Sequence, residues 1–87
     1  MMDILEKKHA ILATEFDRYV TERHEFAMKI PQNAQIVLQV EGDEEYNRWS
    51  RQLAERQREP EQRVVYVKVK GLKPAESRLL KPEVAIA

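Results

Sequence analysis

The stretch that decides the fold of this 87-residue chain is residues 35–70, which read QIVLQVEGDEEYNRWSRQLAERQREPEQRVVYVKVK. Apolar and polar residues alternate at its two ends, in 35–41 and 63–70, as is typical of β-strands with one buried face. Between these ends, Tyr46, Trp49 and Leu53 recur at the three- to four-residue spacing of an amphipathic helix. A strand, a helix and a second strand in this order predict parallel pairing with a right-handed crossover.

The central helix has clear start and stop signals. Gly42 and Asp43 interrupt the first strand, and Asp43 is suited to cap the helix that follows. Glu44 and Glu45 then complement the positive end of the helix dipole. We predict that the helix runs to about Arg58, because the next residues, 59–61, are Glu-Pro-Glu.

The N-terminal third predicts one long helix followed by a short one. Residues 3–23 place their apolar side chains near one face, which predicts a helix that covers the core. The pattern continues after a predicted kink near His24, and Pro31 favours a helix end by Ile30. The predicted class is therefore α/β, with helix, short helix, strand, helix and strand in a single small domain over 1–71.

The two predicted strands leave one face of their sheet open. Ile36, Leu38 and Val40 share the face expected to meet the helices, and Val65, Val67 and Val69 continue it. The opposite face keeps Val37, Val64 and Tyr66, and we expect these three to lack cover. Because a two-stranded sheet is marginal alone, a further layer is required.

Residues 72–87 are expected to form an extended tail. They carry Leu-Lys-Pro twice, at 72–74 and 80–82, which disfavours a continuous helix. Their apolar content is too high for a solvated linker, so we expect the tail to dock on the domain or on a partner subunit. The candidate interface then consists of sheet and tail residues, namely Val37, Val64, Tyr66, Leu79, Leu80, Val84 and Ile86.

Composition excludes several classes of function. Lys and Arg total 15 and Asp and Glu total 15, so the net charge of zero gives no overall attraction for nucleic acid or anionic lipid. The chain has no cysteine and therefore no disulfide framework or thiolate metal site, which suits the cytoplasm. No apolar run approaches the length of about 20 residues that a membrane span needs, and charges interrupt the N-terminal apolar residues.

The histidines and serines do not form a catalytic pattern. His24-Glu25 begins the helical zinc-protease motif, but Met28 occupies the place of its second histidine. His9 lies fifteen residues before His24, and Ser50 lies within the central helix without a histidine near it in sequence. We therefore expect no metal, no cofactor and no catalytic triad.

Four carboxylates gather at the end of the first strand, where open parallel sheets bind ligands. They are Glu41, Asp43, Glu44 and Glu45. Helix capping is the favoured interpretation, because Asp43 and its neighbours lie at a helix N-terminus. A small ligand-binding or hydrolytic enzyme with an acidic site here stays open as an alternative.

Several stretches together resemble a small prokaryotic family of unknown function. They are Glu15-Phe16-Asp17-Arg18-Tyr19, Ile30-Pro31, Leu53-Ala54-Glu55-Arg56-Gln57-Arg58-Glu59-Pro60, Val64-Val65-Tyr66-Val67 and Ser77-Arg78-Leu79. The resemblance spans most of the chain and implies no activity, cofactor or catalytic residue. It also implies that the tail belongs to the natural protein, which favours docking over disorder.

The leading prediction is a non-catalytic cytoplasmic module for interaction or assembly that forms a homodimer through the open sheet face or the tail. A regulator of the toxin and antitoxin type is a second alternative, which depends only on the small size and the tail. Binding of nucleic acid is disfavoured, since acids are interleaved with the basic residues of the central helix. No small-molecule ligand can be identified from the residues.

Overall fold

A computed structural model describes residues 3–73 and 79–86 of the chain. It contains a mixed α/β arrangement in the predicted order: α1 (Ile4–Glu22), α2 (His24–Ala27), β1 (Gln35–Val40), α3 (Glu44–Gln57) and β2 (Val64–Val69). The predicted elements are confirmed, and their ends shift by one or two residues except at α2. That helix stops at Ala27, and turn hydrogen bonds from Lys29 to Phe26 and from Ile30 to Ala27 follow it.

The first helix begins and ends through local contacts. The Asp3 carboxylate accepts a hydrogen bond from the Glu6 N–H at 2.8 Å, which caps α1. At the other end Arg23 leaves helical geometry, with φ −127°, and α2 begins at the next residue. The Phe26 ring then lies edge-on to the Tyr19 ring at 5.0 Å. The break predicted near His24 is thus confirmed, and aromatic contacts hold α2 against α1.

The two strands pair in parallel, as predicted, with Gln35 opposite Val64 and Val40 opposite Val69. The Gln35 N–H donates to the Arg63 carbonyl at 2.7 Å, and the Glu41 N–H donates to the Val69 carbonyl at 2.9 Å. Because backbone groups alternate in direction along a strand, odd-numbered residues of both strands point into the ladder. Even-numbered residues of both strands direct their N–H and C=O groups to the outer edges.

The core lies between the sheet and the two long helices. Leu12 of α1, Leu38 of β1 and Tyr46 of α3 form its buried centre. Partly buried residues from all three elements and from β2 surround it: Leu5, Ala13, Phe16, Ile36, Val40, Trp49, Val67 and Val69. The face predicted to meet the helices is therefore confirmed at Ile36, Leu38, Val40, Val67 and Val69, whereas Val65 is not part of this cluster.

The opposite face differs from the prediction at one position. Val37 is only 1% exposed, so the expectation that it lacks cover is wrong. The reason is the position of α3, which packs along β1 and brings Ala54 and Arg51 to the cleft that Val37 lines. Val64 and Tyr66 on β2 stay exposed, at 37% and 61%. Cover by α3 thus reaches β1 and leaves β2 open.

The tail extends away from the domain. Its described residues carry no helix or strand, and Leu80, Val84 and Ile86 are each at least 90% exposed. The radius of gyration, 17.0 Å, exceeds the value of about 12 Å expected for a compact chain of this length. In this structure, these three side chains are therefore not packed on their own domain. Residues 74–78, which include Pro74 and Ser77, and residue 87 lie outside the described residues.

Candidate functional site

The outer edge of β1 is closed by a side chain from α3. Asn47 is 7% exposed, and its Oδ1 accepts a hydrogen bond from the Val40 N–H at 2.7 Å. Its Nδ2 donates to the Val40 carbonyl at 2.9 Å. The side-chain amide of Asn47 thus pairs with Val40 as the backbone of a third strand would, and it occupies that position on the edge.

Two glutamines extend this closure along β1. The Gln39 Nε2 donates to the Leu38 carbonyl at 3.0 Å and to the Asn47 carbonyl at 3.3 Å, and its Oε1 accepts from Arg51 at 3.1 Å. The Gln35 Nε2 reaches the Ile36 carbonyl at 3.4 Å. The outward carbonyls at 36, 38 and 40 therefore all have amide partners, and another strand has no free row of acceptors to join.

The outer edge of β2 is open by contrast. The backbone groups of Val64, Tyr66 and Lys68 point away from β1, and no hydrogen bond within residues 3–73 and 79–86 reaches them from outside the sheet. An edge of this kind is a template for a further strand. On the described residues the β2 edge is therefore the more open of the two, since side chains reach three outward carbonyls and one outward N–H of β1.

A shallow cleft of about 190 Å³ lies on the sheet face beside this edge. Its apolar part comes from Val37 and Ala54, which are buried, and from the exposed Val64 and Tyr66. Charged side chains complete its rim: Arg51, Glu55 and Arg58. We call the cleft and the outer backbone of β2 together the β2 surface.

The predicted interface residues are only partly brought together. Val37, Val64 and Tyr66 line one cleft, as their shared strand face requires. The tail residues Leu79, Leu80, Val84 and Ile86 do not line it. The roles of Asn47 and Gln39 are not predicted from the sequence. The available signal is the place of Asn47 directly after Tyr46, at the border of the apolar helix stripe, where a polar side chain needs a hydrogen-bond partner.

The acidic corner at the end of β1 is committed to structure at Asp43. One carboxylate oxygen of Asp43 accepts from the Tyr46 N–H at 3.2 Å, which confirms the predicted cap, and the other forms an ion pair with Lys8. The hydrogen bond from Lys8, with that from the Tyr46 N–H, lowers the pKa of Asp43. This carboxylate is therefore held ionised by α1 and α3.

The other three acids of this corner, Glu41, Glu44 and Glu45, do not line one common cavity. Glu41 and Glu44 line a polar cavity of about 310 Å³ together with Arg51 and Lys68, whereas Glu45 does not line it. Within the described part of the chain, no three His, Cys, Asp or Glu side chains lie close enough to hold a metal ion. The cavity mixes both signs of charge, and its geometry defines no reacting pair.

A polar contact fastens α1 to α3 beside this corner. The Nδ1 of His9 lies 2.8 Å from the hydroxyl of the fully buried Tyr46, and the Trp49 ring meets the imidazole edge-on at 5.3 Å. Burial lowers the pKa of His9 and raises the pKa of Tyr46. Both shifts favour the neutral forms, so this contact is a neutral hydrogen bond between the helices.

The fold and these surfaces define a small α/β chain with one closed and one open sheet edge. The sequence profile of one protein family, described as a family of unknown function (DUF5647), matches residues 4–82, and the chain belongs to that family. The resemblance to an uncharacterised family is thus confirmed. No curated protein and no solved structure matched the chain. None of the described helices combines the length and apolar character that crossing a membrane requires.

Proposed function

We propose that this chain is a non-catalytic assembly module of the cytoplasm that self-associates through its β2 surface. The observation that carries the proposal is the difference between the two sheet edges. Side-chain amides bond the outward carbonyls of β1 and the Val40 N–H, whereas within the described residues the outward groups of Val64, Tyr66 and Lys68 on β2 have no such partner. A second copy that supplies a strand there satisfies those groups.

Exposed apolar area supports the same surface. Tyr66 on β2 lies opposite Val37 on β1. Tyr66 is 61% exposed and Val37 is almost fully buried, so α3 covers the β1 part of this sheet face and not the β2 part. Pairing at the β2 edge would place a second copy's side chains beside Tyr66 and Val64 and bury part of their exposed area. We take the connection through α3 as right-handed, which is the general sense of parallel crossovers.

The two alternative functions have weaker support. A ligand-binding or hydrolytic enzyme at the acidic corner needs a free Asp43, but that carboxylate caps α3 and pairs with Lys8. A regulator of the toxin and antitoxin type depends on the small size and the exposed tail, and no contact in the described residues adds to these. Self-association is the proposal that the hydrogen bonds favour.

Light scattering during size-exclusion chromatography tests the proposal over a wide range of concentrations. We expect a species of twice the 10.3 kDa chain mass at high concentration. Tyr66→Pro removes an outward N–H and no ladder hydrogen bond, so it should fold and shift the equilibrium to monomer. Tyr66→Phe keeps the backbone and should still dimerise. A monomeric mass for the unaltered chain at every concentration would refute self-association.

A further inference from the structure

We infer that the partner of the β2 edge is the tail segment 80–86 of a second copy, which adds to it as a third strand. This inference rests on the proposed function and names the element that performs it. The segment reads LKPEVAI, with Leu80, Pro82, Val84 and Ile86 at even positions. Alternation with a period of two is typical of an extended segment with one apolar side.

The segment is presented for exchange in the single chain. Leu80, Val84 and Ile86, which all lie at even positions, are 93%, 90% and 94% exposed, so almost all of their apolar surface is in contact with solvent. Each such side chain is stabilised by about 1.5–3 kcal/mol when it becomes fully buried. Contact with Val64 and Tyr66 buries part of this area, so addition to β2 gains a fraction of that free energy for each side chain.

Pro82 fixes which backbone groups of the segment face β2. Proline lacks an N–H, so it is tolerated in an edge strand only where that position faces solvent. Lys81 has a φ of 38° in the single chain and must become extended on pairing. The odd-numbered residues Lys81, Glu83 and Ala85 then direct their backbone groups inward. Their N–H and C=O groups can bond to the outward groups of Val64, Tyr66 and Lys68, with three residues contributing from each strand.

The open face beside β2 selects parallel addition. In a parallel pair, a residue whose backbone groups point toward the neighbouring strand lies opposite a residue whose groups point away from it. The side chains of these two residues share one sheet face, as those of Gln35 and Val64 do in this sheet. If the backbone groups of the odd-numbered tail residues point toward β2, the even-numbered tail residues lie opposite Val64 and Tyr66. Their side chains then share the sheet face of Val64 and Tyr66. The apolar side chains of the segment then stand beside Val64 and Tyr66 on the same sheet face and bury part of the area that α3 leaves exposed.

The length of the connection assigns the segment to a second copy. Parallel neighbours in one chain need a crossover of about a dozen residues or more. Only residues 70–79 separate β2 from the segment. The tail of one copy therefore reaches the β2 edge of another more readily than its own, and two copies can exchange tails reciprocally.

Charge disfavours the competing arrangement, in which β2 pairs with β2 of the second copy. Each β2 region carries Arg63, Lys68 and Lys70 without an acid among residues 63–70, so such a pair gathers positive charge. The tail segment carries Lys81 and Glu83 and is neutral. The tail is therefore the better complement to this edge.

A complementation experiment separates these arrangements. The tail variant combines Leu80→Ser, Val84→Ser and Ile86→Ser, and the edge variant is Tyr66→Pro. A matched control alters the other side of the segment, with Lys81→Ser, Glu83→Ser and Ala85→Ser. Circular dichroism of all three checks that the domain stays folded, and native mass spectrometry measures their association.

Exchange predicts that each single variant dimerises about tenfold or more weakly than the unaltered chain, while the control dimerises normally. Mixing the tail and edge variants should give a heterodimer, because one copy keeps an edge and the other keeps a tail. Normal dimers of the tail variant would overturn the exchange and leave self-association standing. Failure of the mixture to associate would also overturn it, whereas a monomeric unaltered chain would refute the proposed function itself.

Discussion

Replacement of Asn47 by alanine tests the closed edge of β1 directly. Asn47 is buried, and its amide makes two hydrogen bonds to the backbone of Val40, at 2.7 and 2.9 Å. Removal of the amide leaves the Val40 N–H and carbonyl without these partners. The perturbation therefore affects the contact between α3 and β1 without altering the sequence of either strand.

The expected loss of unfolding free energy is about 2–3 kcal/mol. Two hydrogen bonds contribute about 1 kcal/mol each, and a buried group left unpaired adds up to about 1–3 kcal/mol more. The higher helix propensity of alanine offsets about 0.5 kcal/mol of this loss, and the neighbouring polar cavity gives water partial access to Val40. A chain of this size has a total stability of roughly 4–13 kcal/mol, so the loss is a large share.

Urea unfolding followed by Trp49 fluorescence and circular dichroism measures the change, since Trp49 packs against the core. The matched control is Gln52→Ala, which removes an exposed amide from the same helix and should change stability by less than about 0.5 kcal/mol. A loss below about 1 kcal/mol for Asn47→Ala would refute the argument that the amide substitutes for a strand. Asn47→Asp keeps an acceptor for the Val40 N–H and loses the donor to the Val40 carbonyl. The variant should have a lower unfolding free energy at neutral pH and should regain part of it in acid, where the protonated carboxyl can donate to that carbonyl.

Three further perturbations test the helix contacts. Burial lowers the folded-state pKa of His9 below its usual 6.5. The stability that neutral His9 contributes is therefore complete above about pH 6.5 and is lost at lower pH, where the unfolded chain binds the proton more readily. His9→Asn should remove this pH dependence. Urea titrations of the variant at several pH values should lack that fall, and an unchanged pH profile would contradict the assignment. Leu12→Ala should lower the unfolding free energy by about 2–5 kcal/mol, whereas Ile11→Ala, at a side chain 54% exposed, should have a much smaller effect in the same assay. Asp3→Ala removes the cap of α1 and should lower the melting temperature through a loss of about 0.5–2 kcal/mol; no change would show that the cap is dispensable.

Local patterns predicted the elements well because the relevant interactions span few residues. Alternation in β1 placed Leu38 on the helix side, and the structure buries it there. Asp43 caps α3 through a bond three residues along the chain. The break at Arg23 likewise follows from residues around His24. Each of these features depends on backbone geometry within one or two turns.

Contacts between distant elements could not be predicted in this way. His9 meets Tyr46 across 37 residues, and neither residue carries a local signal for the other. Alternation assigns Val37 correctly to the sheet face opposite Leu38. It does not say that α3 also covers this face along β1, so the exposure predicted for Val37 is wrong. A helix that lies along β1 rather than across both strands covers Val37 and leaves Tyr66 exposed.

The sequence alone determined the order of the elements, the parallel sheet and the faces of its strands, because side-chain alternation and helix periodicity are properties of the local chain. It also predicts that a sheet of two strands needs a further layer. Only the tertiary structure decided which edge of the sheet side chains from α3 would reach. Side-chain alternation specifies the faces of a sheet but does not say which edge a helix will approach. The approach of α3 places Asn47 against Val40 on the outer edge of β1, and the outer edge of β2 stays more open, which is the edge of our proposal.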